Sequence, residues 1–155
     1  MVGPRHEYRE KEHWEKFTLW EESTRIPLII KAPGITPESG AVCHEAVSLL
    51  DVYPTLVELM DAEAWKQLEG TRLLPQLSDP GTDRPVPAIT TYGQNNHPIR
   101  TERWRYIQYH NGGEELCDHE TDPDESFNFA GKEEYRHLMD SLKTCLPEIN
   151  EKAPG

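Results

Sequence analysis

The spacing of apolar positions changes character near the middle of this chain. In the first part Trp14, Phe17 and Trp20 recur at helical spacing and predict a short helix. Pro27 then forces extended backbone at Ile26, and Leu28-Ile29-Ile30 reads as a short buried strand stopped by Pro33-Gly34. A continuous apolar run of that kind suits a central strand covered on both faces, so it needs partners. Ala41 to Val47 is a second candidate strand. A helix is expected next, with Asp51 as N-cap, Pro54 in its first turn, and an apolar stripe from Val52 to Met60. Residues 61–85 read as a surface connection with a helical piece around Leu73 to Leu77.

The second half alternates instead. Ala88 to Tyr92, Ile99 to Thr101 and Trp104 to His110 predict strands, the last two joined by a tight turn at Glu102-Arg103. Asn111-Gly112-Gly113 is a hairpin signal leading into a strand at Glu115 to Cys117. The acidic group Glu120, Asp122, Asp124 and Glu125 lacks the pattern of a calcium loop and reads as a solvated turn. Glu133 to Leu146 is amphipathic, with Tyr135, Leu138, Met139, Leu142 and Leu146 on one side, and Pro147 ends it. A small antiparallel sheet with one packing helix can close its own core; the first 60 or so residues cannot do so as easily.

Composition sharpens this contrast. Only 35% of the 155 residues are apolar, and there are 13 prolines. The core is thin for the length, as in a piece of something larger. A net charge of −12 disfavours binding to phosphate backbones, so nucleic acid is not an expected partner. No window approaches the roughly 18–20 apolar residues of a membrane span, and the polar opening from Met1 to Arg9 shows no signal peptide. Neither a membrane partner nor a compartment is therefore indicated. Cys43, Cys117 and Cys145 are too few and too scattered for a disulfide framework.

Four blocks, in order, resemble the sulfatase family, and bacterial iduronate-2-sulfatase-like members in particular. Glu10-Lys11-Glu12-His13-Trp14-Glu15-Lys16-Phe17-Thr18-Leu19-Trp20-Glu21, running on to Arg25-Ile26-Pro27-Leu28-Ile29, is similar to a family stretch that precedes a strand. Val47-Ser48-Leu49-Leu50-Asp51-Val52-Tyr53-Pro54-Thr55-Leu56 resembles its V-S-x-x-D-x-x-P-T-L helix. Ile99-Arg100-Thr101-Glu102-Arg103-Trp104-Arg105-Tyr106-Ile107 resembles a family hairpin. Glu115-Leu116-Cys117-Asp118, Asp122-Pro123-Asp124-Glu125 and Asn128 resemble the motif E-L-Y-D-x-x-x-D-P-x-E-x-x-N.

The resemblance implies the C-terminal portion of an enzyme that hydrolyses sulfate esters. Complete members carry an alkaline-phosphatase-like α/β domain followed by a smaller α+β domain. They use a formylglycine made at C-x-[PA]-x-R and a calcium ion held partly by a D-H-G segment. Neither motif is present here: Cys43 precedes His44-Glu45, Cys145-Leu146-Pro147 lacks the arginine, and Gly3-Pro4-Arg5 stands where D-H-G is expected. Calcium is thus a cofactor of the complete enzyme, and no metal ligand is assigned to this chain. Lys16 matches the family lysine that contacts the sulfate, a catalytic and substrate-binding role. An ammonium there can neutralise charge on a sulfate oxygen; without the family context Lys16 reads as the i,i+4 partner of Glu12. Three further substrate-binding candidates are His13, His97 and Arg100. For His97 the competing account is a polar loop position, and for Arg100 a structural ion pair. Arg103 and Arg105 are expected to pair with acidic neighbours across the sheet.

The expected fold is an α/β fragment, residues 1–85, as the remnant of the catalytic domain. An α+β subdomain, residues 86–155, follows, with a small antiparallel sheet and a packing C-terminal helix. The expected function is that of a sulfatase C-terminal part, inactive alone, whose partners are a sulfated small molecule or glycan and the missing N-terminal part. The alternatives are a non-catalytic binding fragment and a piece of a related phosphodiesterase or phosphonate hydrolase.

Overall fold

The structure is a computed structural model that describes residues 18–63 and 68–148. These fall into two compact units, one formed by residues 18–26 with 89–148, the other by Pro27–Ala88.

The first unit is built on a four-stranded sheet in sequence order: β1 (Ala88–Ile89), β2 (His97–Arg100), β3 (Trp104–Gln108) and β4 (Glu114–Asp118). β2–β3 and β3–β4 pair antiparallel, with Ile99, Tyr106 and Leu116 in line across the sheet. Each hairpin follows from its turn. Thr101 closes the first, its N–H donating to the Trp104 carbonyl at 2.9 Å and its Oγ1 accepting the Trp104 N–H at 2.9 Å. Gly112, at φ 81°, supplies the left-handed residue of the second.

Alternation along β3 separates two faces. Ile99, Tyr106 and Leu116 form a core with Met139 and Leu142 of helix α4 (Arg136–Lys143), which a 3-10 turn at Glu133–Tyr135 introduces. Each fully buried apolar side chain there contributes on the order of 1.5–3 kcal/mol. The expected sheet and packing helix are therefore present. The opposite parity carries Arg105, Ile107 and Cys117, all buried as well. What lies against Arg105 is the short helix α1 (Glu21–Thr24) and the residues just before it.

Pro27–Ala88 contains a 3-10 turn (Leu49–Asp51) and the helices α2 (Val52–Leu59) and α3 (Leu74–Ser78). Asp51 is not the side-chain cap expected: Ser48 caps the 3-10 turn, and Asp51 closes the reciprocal half of a capping box by accepting the Ser48 N–H at 2.7 Å. The same carboxylate, 2% exposed, accepts the Thr71 N–H at 2.7 Å and pairs with Arg84 Nη2 at 2.9 Å. Thr55 Oγ1 donates to the Asp51 carbonyl and accepts the Leu73 N–H. Ser48, Asp51 and Thr55 thus tie three stretches of chain together, which accounts for their place in one motif.

The two strands expected in this unit are absent. Residues 27–32 and 41–47 are irregular, and Ile29 is 91% exposed. The apolar run finds no strand to pair with, so nothing fixes it as a ladder. Among the described residues of this unit, the buried apolar side chains are Ala32 and Leu73, while Val42, Leu49, Leu50, Leu56 and Met60 are exposed. No helix among the described residues is long and apolar enough to cross a membrane.

Candidate functional site

Polar chemistry in the first unit concentrates on the Arg105 face of the sheet. Arg105, 2% exposed, reaches in three directions: Nη1 donates to the Leu19 carbonyl at 3.0 Å, Nη2 pairs with Glu21 Oε2, and Nε stands 2.5 Å from Glu125 Oε1. Glu125 is fully buried and receives two further donors, His119 Nε2 at 2.9 Å and the Glu21 N–H at 3.1 Å. Glu21 is shared with Arg100, whose Nε lies 3.2 Å from Oε2. Beside this group Trp20 Nε1 donates to Glu115 Oε2 at 3.1 Å.

The electrostatics follow from these contacts. Burial pushes the Glu125 carboxyl up. The His119 hydrogen bond, the Arg105 charge and the Glu21 N–H outweigh it and hold the pKa down at about 2. Glu21 is likewise held low against its burial by Arg100 and Arg105. Glu125 adopts φ 52°, a left-handed conformation that costs a non-glycine residue about a kcal/mol or more and that these contacts retain.

The neighbouring motif residues act on the backbone. Arg103 grips Asp118 in a two-pronged contact at 2.8 and 2.7 Å and pairs with Glu120 at 2.6 Å. Asp122 accepts the Phe127 N–H at 2.7 Å. Asn128 Oδ1 accepts N–H groups from Leu116 and Ala130, while its Nδ2 donates to the Glu114 carbonyl. The acidic turn is therefore only partly solvated, a correction to the sequence reading: Asp122 is 7% and Glu125 0% exposed, because their lone pairs are filled from within the protein.

Arg103 pairs with Asp118 of β4 as expected across the sheet, whereas Arg105 pairs off the sheet, with Glu21 and Glu125. His97 lies on β2 rather than in a loop, and Arg100 lies on the same strand, within the stretch expected to be extended. His97 is buried, and its Nδ1 shares a hydrogen bond with Thr91 Oγ1 at 3.0 Å. Arg100 is committed to Glu21 and to the carbonyls of Thr101 and Glu102. Lys16 and His13 lie outside the described residues.

A cation is poorly served here. Among the described residues, Glu21, His119 and Glu125 bring ligand atoms within 4.8 Å of one another. Calcium requires six to eight oxygen ligands, however, and guanidinium groups already hold both of these carboxylates. The cluster does not fit calcium; it is an ion-pair lock. Glu21, Glu125 and His119 were missed as a group by sequence reasoning. The available signal was that each falls within or beside a family block.

Residues 9–152 match the family model described as N-sulphoglucosamine sulphohydrolase, C-terminal. The chain belongs to this sulfatase family. A sulfatase of Formosa agariphila is 36% identical over 147 residues, covering 94% of this chain and 29% of the relative. Arylsulfatase K of Gallus gallus is 30% identical, covering 90% of this chain and 28% of the relative. A solved protein in complex with its substrate D-glucosamine-2-N,6-O-disulfate superposes with a TM-score of 0.52 at 26% identity, over 61% of this chain and 22% of that one. The sulfatase C-terminal chain thus spans less than a third of the relatives it matches.

Proposed function

We propose that this chain is the C-terminal part of an iduronate-2-sulfatase-like enzyme that hydrolyses sulfate esters of carbohydrates, and that it contributes the sulfate-contacting Lys16. The family match over residues 9–152 carries this reading. The sulfated glucosamine bound by a structural relative supports the substrate class. In this reading residues 1–85 descend from the catalytic α/β domain and 86–155 form the C-terminal subdomain.

Lys16 places a positive charge against a sulfate oxygen, which holds the substrate and offsets charge developing on the leaving group. His13 stands three residues away and contacts the same ligand. His97 and Arg100 on β2 are the remaining substrate-binding candidates. Arg100 is already bonded to Glu21 and His97 is buried, which favours support over direct contact. No cysteine of the chain is followed by the nucleophile motif, and calcium enters only with the complementary part of a complete sulfatase. That part is the expected protein partner.

The test is turnover and binding by the purified chain. With calcium present it is expected to leave an aryl sulfate uncleaved while binding D-glucosamine-2-N,6-O-disulfate, and Lys16→Ala is expected to lose about tenfold in affinity, roughly one charge-assisted hydrogen bond. Cleavage above that of a Lys16→Ala control would overturn the inactive reading.

A further inference from the structure

Helix α2 and the turn before it present their apolar side to solvent. Leu49, Tyr53, Leu56 and Met60 follow one another at helical spacing, so they line one face, and all four are exposed. The buried side is polar, with Asp51 and Thr55 one turn apart on it. That is the reverse of a helix packed by its apolar face onto a core. The orientation is fixed from the inner side. Asp51 holds the Thr71 N–H and the Arg84 guanidinium, Thr55 Oγ1 accepts the Leu73 N–H, and Glu58 pairs with Arg72. A Cβ on Gly70 would collide with the Leu50 carbonyl, so the backbones already touch there. Turning the helix to bury its leucine face would break these bonds and leave a buried charge unpaired, so the stripe stays open in this chain.

Between Leu49 and Met60 the charged side chains are Asp51 and Glu58, both paired on the inner side. Large apolar and aromatic side chains with charge excluded from among them have the composition of an interface core. Two observations choose the occupant. A second copy of this chain would set a net charge of −12 against the same charge, which opposes association. The relatives match this chain over 94% and 90% of its length, yet it spans only 29% and 28% of theirs, so more than two-thirds of each is available to cover this helix. We propose that Leu49, Tyr53, Leu56 and Met60 are the docking face for the complementary part of a sulfatase. This rests on the reading of the chain as the C-terminal part of such an enzyme, and it gives the expected protein partner a footprint on Pro27–Ala88.

The sulfatase of Formosa agariphila, less the 29% that matches this chain, is produced in one cell together with the full chain, with the affinity tag on the Formosa part. The chain is expected to be recovered with it in equal amount. Leu56→Glu combined with Met60→Glu is expected to lower that recovery about tenfold or more. Phe127→Glu, which alters an exposed aromatic side chain of the other unit, is expected to leave it unchanged. Thermal unfolding of the double variant by itself should match that of the unaltered chain, because exposed positions contribute little to its own packing. Equal recovery of the double variant and the unaltered chain would overturn the docking face and leave the sulfatase reading standing. No recovery of the unaltered chain would overturn the docking and the partner reading together. A clearly lowered unfolding temperature would place the stripe inside the chain's own packing and overturn its role as a docking face. A dimer of the chain in light scattering that the double variant turns into a monomer would overturn the choice of occupant in favour of a second copy.

Discussion

Arg105 and Glu125 face each other 2.5 Å apart with side chains 2% and 0% exposed, the most deeply buried ion pair described in this protein. Burying two charges is costly, and such a pair holds its ground only when the remaining donors and acceptors are met. Here His119, Leu19 and Glu21 meet most of them, while Arg105 Nε has the Glu125 ion pair without hydrogen-bond geometry. Glu125→Gln leaves the guanidinium without its full counter-charge and is expected to cost about 3–5 kcal/mol. Urea unfolding of the sheet measures this. Adding Arg105→Met is expected to restore part of the loss, since no orphan charge then remains.

Acid is expected to weaken the same unit. Glu125 has a folded pKa of about 2 against an ordinary value of 4.5, so its contribution is fully present above pH 4.5 and is lost as pH falls through 2. The difference corresponds to about 3 kcal/mol. Glu21 and Asp118, the latter held low chiefly by the Arg103 hydrogen bonds, change in the same direction. Urea midpoints at pH 7, 4 and 3 should fall in that order, with a shallower decline in Glu125→Gln.

Asn128 works as a splint at the end of the sheet, serving two N–H groups and one carbonyl. Asn128→Ala is expected to destabilise the sheet by about 1–2 kcal/mol, the worth of the bonds removed. Asn128→Asp keeps the acceptor and loses the donor, so it should fall between the two in thermal unfolding.

Gly70 has a different constraint. A Cβ there would stand 2.0 Å from the Leu50 carbonyl oxygen, a backbone atom that cannot swing aside. Gly70→Ala is expected to cost more than about 2 kcal/mol. Amide exchange should quicken around Leu49–Leu59 and stay unchanged in β3 and β4.

Local patterns made the second half readable. The turn chemistry at Asn111-Gly112-Gly113 and the stripe from Tyr135 to Leu146 each specify structure within a few residues, and both hairpins and α4 follow. Leu28-Ile29-Ile30 failed as a strand because a ladder depends on a neighbour that periodicity cannot supply. The Glu125 cluster was illegible for a related reason. An acidic residue after Asp-Pro-Asp looks like solvent-facing punctuation, and only the fold shows it meeting Arg105. The capping error at Asp51 was smaller: Ser48, three residues earlier, was the better cap, and the serine–aspartate spacing was open to view.

The bond from the Glu21 N–H to Glu125 joins residues 104 apart in sequence, and all of Pro27–Ala88 lies between them. The unit built on the sheet is therefore discontinuous along the chain. At a synthesis rate of about 5–20 residues per second, residue 21 is incorporated roughly 5–20 s before its partner exists. Throughout that interval residues 19–21 lack the buried partners that Arg105 and Glu125 supply, and the strand and turn made later are the ones that hold them.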